Sequence, residues 1–333
     1  MSVLYVTEQG ATVGFTAGRI VVRKHKRVIQ ELPVVKLEQL VVVGRINITP
    51  WVINYCLRMG IEVSYLSSPG NFAGRLQPEL NRNVIPRQRQ FERAADAPFM
   101  LGLARGIVKG KIRNMIAMVR RQRRLQSAEG DPIAEMQALL PRVEAAPSGD
   151  SLYGYEGTAS ASYFKAFRAA LRAEWEFETR NYHPPMDPAN ALLSLGYTML
   201  YKELHAAISI VGLDPYLGCF HKPRQGHAAL ASDLMEELRA PLIDRLILTT
   251  INKRVLVQDE FQRDPDGRFK LVPPAFKRFL KVYAEALNES TWYAPLTRNL
   301  TWRHLIEHQV RHYARVMTGE DAEYRPYDAD SAG

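Results

Sequence analysis

The chain has 333 residues, 46% of them apolar and 24% charged, with a formal net charge of +9 and an isoelectric point near 9.5. That composition excludes a disordered chain, and no apolar run reaches the ~18 residues of a membrane span. The two cysteines, Cys56 and Cys219, lie too far apart for a zinc spacing or a disulfide framework and fit a reducing cytoplasm.

The opening residues MSVLYVTEQG lack a basic n-region and carry Glu8, so no signal peptide is expected. Residues 1–76 alternate with a period near two, in short Val- and Ile-rich runs such as GRIVVRK and QLVVVGRINIT separated by Gly or polar turns. A short helix is expected from Pro50 to about Met59, with Pro in its first turn and Gly60 as its cap. IEVSYLS and FAGRL read as two further strands around a turn at Pro69-Gly70-Asn71.

From about residue 88 the period becomes helical. PFMLGLARGIVKGKIRNMIAMVRRQRRLQ predicts a long helix with Ile107, Ile112, Met115, Ile116 and Val119 inward. Its other face carries Lys109, Lys111, Arg113, Arg120, Arg121, Arg123 and Arg124 with no acid among them. Surface helices ordinarily interleave both signs, so a one-signed face favours phosphates over plain solvation.

The stretch GYEGTASASYFKAF reads as the start of a helix, and Glu156 is the lone acid between Asp150 and Glu174. Further on, Asp187 is a natural N-cap, Pro188 a natural first helical residue and Gly212 a natural stop. LASDLMEELRAPLIDRLILTTINKRVL predicts a helix broken or kinked at Pro241. A hairpin turning at Asp-Pro-Asp-Gly follows, then helices at about 274–288 and 299–317. The fold class is α+β: a β-rich N-terminal domain (1–80), a linker (81–88), a larger all-helical domain (89–320) and a C-terminal tail (321–333).

Three groups carry candidate chemistry. Glu156 stands alone in its stretch, His221 ends a Gly/Pro-rich loop, and Asp233 and Glu236 share one helix face at a spacing of three. Two neighbouring carboxylates repel unless a cation lies between them. An O/N donor set of this kind suits Mg²⁺ or Mn²⁺ and phosphodiester chemistry. Each residue also has a plain reading: Glu156 as a first-turn acid, His221 as a solvated loop residue, DLMEEL as an ordinary amphipathic face. His304, His308 and His312 recur at a spacing of four and could chelate zinc, but Arg303, Arg311 and Arg315 crowd the same helix.

Taken in order, YEGTASASYFKAF, the run from FETRNYHPPMDPANALLSLGYTMLYKELH to GLDPYLGCFH, and LASDLMEELR resemble the CRISPR-associated protein one family, the endonuclease and integrase of spacer acquisition. The likeness covers nearly the whole chain. It implies a metal site from Glu156, His221 and Glu236, with Asp233 as an assisting acid or as the third ligand in place of Glu236. Cys219 stands where the family more often has a bulkier residue. The resemblance further implies attack of a prespacer 3′-hydroxyl on the CRISPR repeat by transesterification. It also implies nuclease activity on double-stranded and branched DNA, a homodimer formed through the β-rich domain, and a small ferredoxin-like partner protein. Arg45, Arg168, Arg172 and Arg180 are further candidate phosphate contacts, and Tyr163 and Tyr197 either stack on a DNA end or pack in the core. The competing reading is a basic, non-catalytic DNA-binding scaffold.

Overall fold

The computed structural model describes residues 2–67, 72–76, 83–122, 125–127, 130–181 and 184–332. They form a mixed α/β chain of two compact units, Met1–Arg82 with Lys270–Ala284, and Asn83–Phe269 with Glu285–Gly333. The segment Lys270–Ala284, expected within the helical domain, groups with the first unit. There Glu8 sits between Lys24 (2.7 Å) and Lys277 (2.9 Å).

The first unit holds strands β1 (Ser2–Val6), β2 (Thr12–Thr16), β3 (Arg19–Lys24), β4 (Arg27–Pro33), β5 (Leu37–Val43) and β6 (Asn47–Ile48). Helix α1 (Pro50–Arg58) and strands β7 (Glu62–Leu66) and β8 (Phe72–Leu76) follow. Two four-stranded sheets result, in the orders β1-β5-β7-β8 and β4-β3-β2-β6. Strand β5 pairs in parallel with both β1 and β7. Most of β5 is buried, as a near-continuous apolar strand inside a parallel sheet should be. Leu4, Val13, Ile20, Leu40, Val52 and Val63 belong to its core. Gly60, at φ +73, follows α1 where the sequence expects a cap. The expected turn at Pro69-Gly70-Asn71 lies outside the described residues.

The second unit contains helices α2 (Ile85–Ala94), α3 (Ala97–Arg121), α4 (Pro132–Glu144), α5 (Gly149–Ala170), α6 (Pro188–Val211), α7 (Ala229–Leu238) and α8 (Arg245–Asn252). The chain goes on through β9 (Phe261–Arg263), β10 (Phe269–Leu271), α9 (Pro273–Asn288), the antiparallel pair β11 (Ser290–Tyr293) and β12 (Arg298–Thr301), and α10 (Trp302–Thr318). Helix α3 is central, packed against α4, α5 and α7, while α10 packs against α2 and α6. Ile107, Ile112, Met115, Ile116 and Val119 of α3 are all buried.

Three local rules position the site. Ser148 caps α5 by accepting from Ser151 N at 3.2 Å, so the helix begins one and a half turns before GYEGTAS. Glu156 therefore stands in the helix interior, and the first-turn acid is Asp150. Asp187 caps α6 by accepting from Asn190 N at 2.8 Å, and Gly212 ends it at φ +97. Pro241 does not stop the α7 helix outright. It removes a donor, and the chain passes through a π-helical stretch at Arg239–Asp244 into α8.

Candidate active site

Asp233 organises the loop between α6 and α7. Its carboxylate accepts the backbone N–H groups of Cys219 (2.6 Å), Phe220 (3.0 Å) and His221 (2.8 Å), and the His221 ring through Nδ1 at 2.7 Å. Both oxygens are engaged and the side chain is fully buried. Gly218 permits this approach, since a Cβ there would lie 2.4 Å from Asp233 Oδ2 and 2.8 Å from Ala229 C. With Nδ1 engaged by Asp233, Nε2 of His221 is the ring nitrogen that faces Glu236 Oε1, at 3.7 Å. Tyr153 supports the loop by donating to Phe220 O at 2.8 Å and stacking on the Phe220 ring. Asp233 thus orients the histidine, and it is Glu236 that faces the same gap as His221 Nε2.

Glu156 on α5 and Glu236 on α7 meet across one ammonium group. Lys111 of α3 pairs with Glu156 Oε1 and with Glu236 Oε2 (2.6 Å). Ser160, one turn on from Glu156, donates to Glu156 Oε1 at 2.8 Å, and Arg239 pairs with Glu236 Oε1 at 3.0 Å. Lys111 and Glu236 are 8% and 3% exposed, whereas Glu156 and His221 are 19% and 20% exposed, so the group has a dry side and a wet side. Burial pushes the Glu236 carboxyl up, but Arg239, Lys111 and His221 together outweigh it and hold the group below its ordinary value. Burial likewise works against the Lys111 ammonium, and Glu236 and Glu156 overcome it.

As they stand, no three His, Cys, Asp or Glu side chains among the described residues converge closely enough to hold a metal ion. Lys111 fills the gap between the two carboxylates. The donor set is nonetheless that of a hard divalent cation: two carboxylates from separate helices and an imidazole held by an outer carboxylate.

Behind the site the π-helical stretch carries Asp244, which accepts from Tyr163 (2.9 Å) and Tyr197 (2.5 Å). Burial raises the Asp244 carboxyl to about 6. Both tyrosines are therefore core residues. Of the further arginine candidates, Arg180 is bound to Asn190 (2.7 Å) and Ser194 (3.0 Å), and Arg168 pairs with Glu178. Arg172 donates to Asn252 O, and Arg45 is exposed in the first unit.

The basic face expected on α3 is a composite. Lys111 points into the site because it falls on the same stripe as Ile107 and Met115, and is not a surface residue. Lys109 pairs with Glu144 (3.1 Å), Arg120 with Asp330 (3.0 Å), and Arg121 donates to Ala329 O. The face is one-signed only in local sequence. Arg113 is exposed and, with Arg105 and Lys109, lines a groove of about 790 Å³ between α3 and the C-terminal segment. Arg123 and Arg124 lie outside the described residues. The histidine stripe of α10 has other uses: His312 is held by Asp321 (2.8 Å) and by Arg325 N (2.9 Å), and His304 by Thr301.

Lys111, Ser160 and Arg239 are the site residues that sequence reasoning missed in this role. A cation on the apolar stripe of α3 was the available signal for Lys111.

The profile described as CRISPR associated protein Cas1 matches residues 4–285. The CRISPR-associated endonuclease Cas1 3 of Thermus thermophilus is 34% identical over 329 residues, covering 98% of this chain and 97% of that protein. A casposase bound to integration product superposes with a TM-score of 0.86 at 20% identity, covering 99% of this chain and 95% of that one. A chain of a Cas6-RT-Cas1–Cas2 complex superposes with a TM-score of 0.80 at 24% identity, covering 98% of this chain and 36% of that one.

Proposed function

The chain belongs to the Cas1 family of CRISPR-associated proteins, and from that premise we propose that it is the DNA endonuclease and integrase of CRISPR adaptation, acting in the cytoplasm. The observation that carries this is the meeting of Glu156, Glu236 and His221 from three separate elements. Among the described residues no helix is long and apolar enough to cross a membrane.

In strand transfer, the 3′-oxygen of the incoming prespacer duplex forms a bond to phosphorus as the repeat's own 3′-oxygen leaves. One phosphodiester replaces another, so no energy-rich cofactor is consumed. Glu156, Glu236 and His221 Nε2 are the side chains that would hold a Mg²⁺ or Mn²⁺ ion. Such an ion supplies charge to offset the transferring phosphoryl group and acidity to the attacking hydroxyl. Asp233 fixes the ring orientation of His221, and Ser160 fixes Glu156. The 19% and 20% exposure of Glu156 and His221 gives DNA a direction of approach.

Lys109, Arg113, Arg120 and Arg121 provide a sequence-independent phosphate track. Arg120 and its partner Asp330 are 45% and 42% exposed, and a pair that open is worth only about 0–1 kcal/mol, so phosphates can take its place. Two further parts belong to the reading. One is a homodimer through the β-rich unit, supported by the exposed strand β4 with Val28 and Ile29 outward. The other is a small ferredoxin-like partner, for which the Cas1–Cas2 complex among the structural relatives is the support.

The test is an integration assay with a prespacer duplex, repeat DNA and Mn²⁺. His221→Ala is expected to abolish both strand transfer and cleavage while leaving DNA binding near wild type. Wild-type strand transfer by His221→Ala would leave the non-catalytic scaffold as the better reading.

A further inference from the structure

Lysine is almost never buried unless paired, and Lys111 is the least exposed basic group of this site, with a side-chain exposure of 8%. Its ammonium bridges the two carboxylates that would otherwise repel each other across the gap. Glu156 and Glu236 bring two negative charges, matched by Lys111 and Arg239. The two carboxylates are therefore already matched by cations, and a divalent ion arriving between them would compete with the Lys111 ammonium for the same oxygens. The two cations differ in how they are held. Arg239 pairs with Glu236 Oε1 and has its guanidinium 4.9 Å from the Tyr197 ring centroid, whereas Lys111 meets Glu236 at Oε2 and Glu156 at Oε1. An ammonium is a compact charge on a flexible stem and can leave a carboxylate without breaking a bidentate geometry.

We propose that Lys111 is the internal counter-ion of the site: it holds Glu156 and Glu236 together while no divalent ion is bound, and yields the gap between them when one arrives. It is a positioning residue that sets metal affinity through the carboxylates. This rests on the reading of Glu156, Glu236 and His221 as the metal ligands. By linkage, whatever stabilises the metal-free site competes with the metal. Removing the ammonium therefore raises affinity for the ion, while a side chain that only packed would leave it unchanged.

The experiment is a Mn²⁺ titration of the DNA-free, full-length protein, reading free Mn²⁺ by electron paramagnetic resonance. Lys111→Met is expected to bind Mn²⁺ at least about fivefold more tightly than wild type, the lower end of ordinary coupling between sites. Its metal-free thermal midpoint falls, and Mn²⁺ raises that midpoint by more than it does in the wild type. Unchanged or weaker Mn²⁺ binding by folded Lys111→Met overturns the proposal. Should that variant fail to fold, the Mn²⁺-bound crystal structure of the wild type decides. Lys111 Nζ is expected to have left at least one carboxylate, and an ammonium still bridging both beside the ion overturns the proposal. Glu236→Gln and His221→Ala in the same titration separate the two levels. If they bind Mn²⁺ like wild type, the ligand assignment itself falls; if they lose it while Lys111→Met is unchanged, only the counter-ion role falls.

Discussion

Glu236 and Glu237 are neighbours on α7, both almost fully buried at 3% and 1% exposure, yet their surroundings are opposite. Glu236 faces two cationic side chains, Lys111 and Arg239, with the His221 ring 3.7 Å away. Glu237 faces neutral donors: the Tyr324 hydroxyl (2.8 Å), the Gln309 amide (3.1 Å) and Tyr327 N (2.7 Å). Burial raises both carboxyls. For Glu236 the cations reverse the direction, whereas for Glu237 the neutral hydrogen bonds offset only part of it and the group is left at about 7. Partner charge, not depth, separates a buried carboxyl held below its ordinary value from one pushed above it. Glu237 fastens the C-terminal segment, whose Tyr327 O and Ala329 N also bond to Asn114 of α3.

The contrast can be broken from either side. On the cation-lined side, Glu156→Gln is expected to lower strand transfer by more than about 100-fold, since losing a ligand exceeds the loss of a residue that merely orients one. An integration assay under saturating Mn²⁺ measures it. Asp233→Asn keeps one acceptor oxygen and sets amide protons either against the Cys219 and Phe220 N–H groups or against His221 N and its ring, and should cost about 10–100-fold in the same assay. On the neutral side, Gly110→Ala would place a Cβ 2.3 Å from Pro326 Cβ. We expect a destabilisation of about 1–3 kcal/mol in urea unfolding, with the C-terminal amides losing hydrogen-exchange protection first.

The smallest effect is on pH dependence. Glu237 rises from 4.5 to about 7 and Asp244 from 3.8 to about 6, both through burial. The folded protein therefore binds more protons than the unfolded chain in this range. The stability these two groups contribute is fully present below about pH 4 and is lost as pH rises through 6 and 7. Thermal midpoints measured across that window should fall less steeply in Glu237→Gln than in the wild type. An unchanged slope would place the titration elsewhere.

Much of this was readable from residues alone. The caps at Asp187 and Gly212, the long α3 helix and the break near Pro241 follow from local rules that act within one turn of chain. The carboxylate–histidine set was legible as residue types and, through the family resemblance, as a constellation. The rest depended on distance in space. Whether Asp233 or Glu236 faces the gap is decided by three backbone amides from a loop twelve or more residues away. The basic face of α3 looked free because its partners, Glu144, Ala329 and Asp330, arrive from α4 and the C-terminal segment. Glu156 passed for a first-turn acid because the stretch GYEGTASASYFKAF reads as the helix start, whereas Ser148 caps it earlier. The strands Ser290–Tyr293 and Arg298–Thr301 were missed, the second because the helix expected at about 299–317 covers most of it.

Mn²⁺ binding by Glu236→Gln and Glu237→Gln, measured side by side on the folded full-length protein, tests the central claim most directly. The account predicts that Glu236→Gln loses Mn²⁺ binding together with strand transfer, while Glu237→Gln keeps both within a few-fold. Retention of Mn²⁺ binding and strand transfer by Glu236→Gln would contradict it.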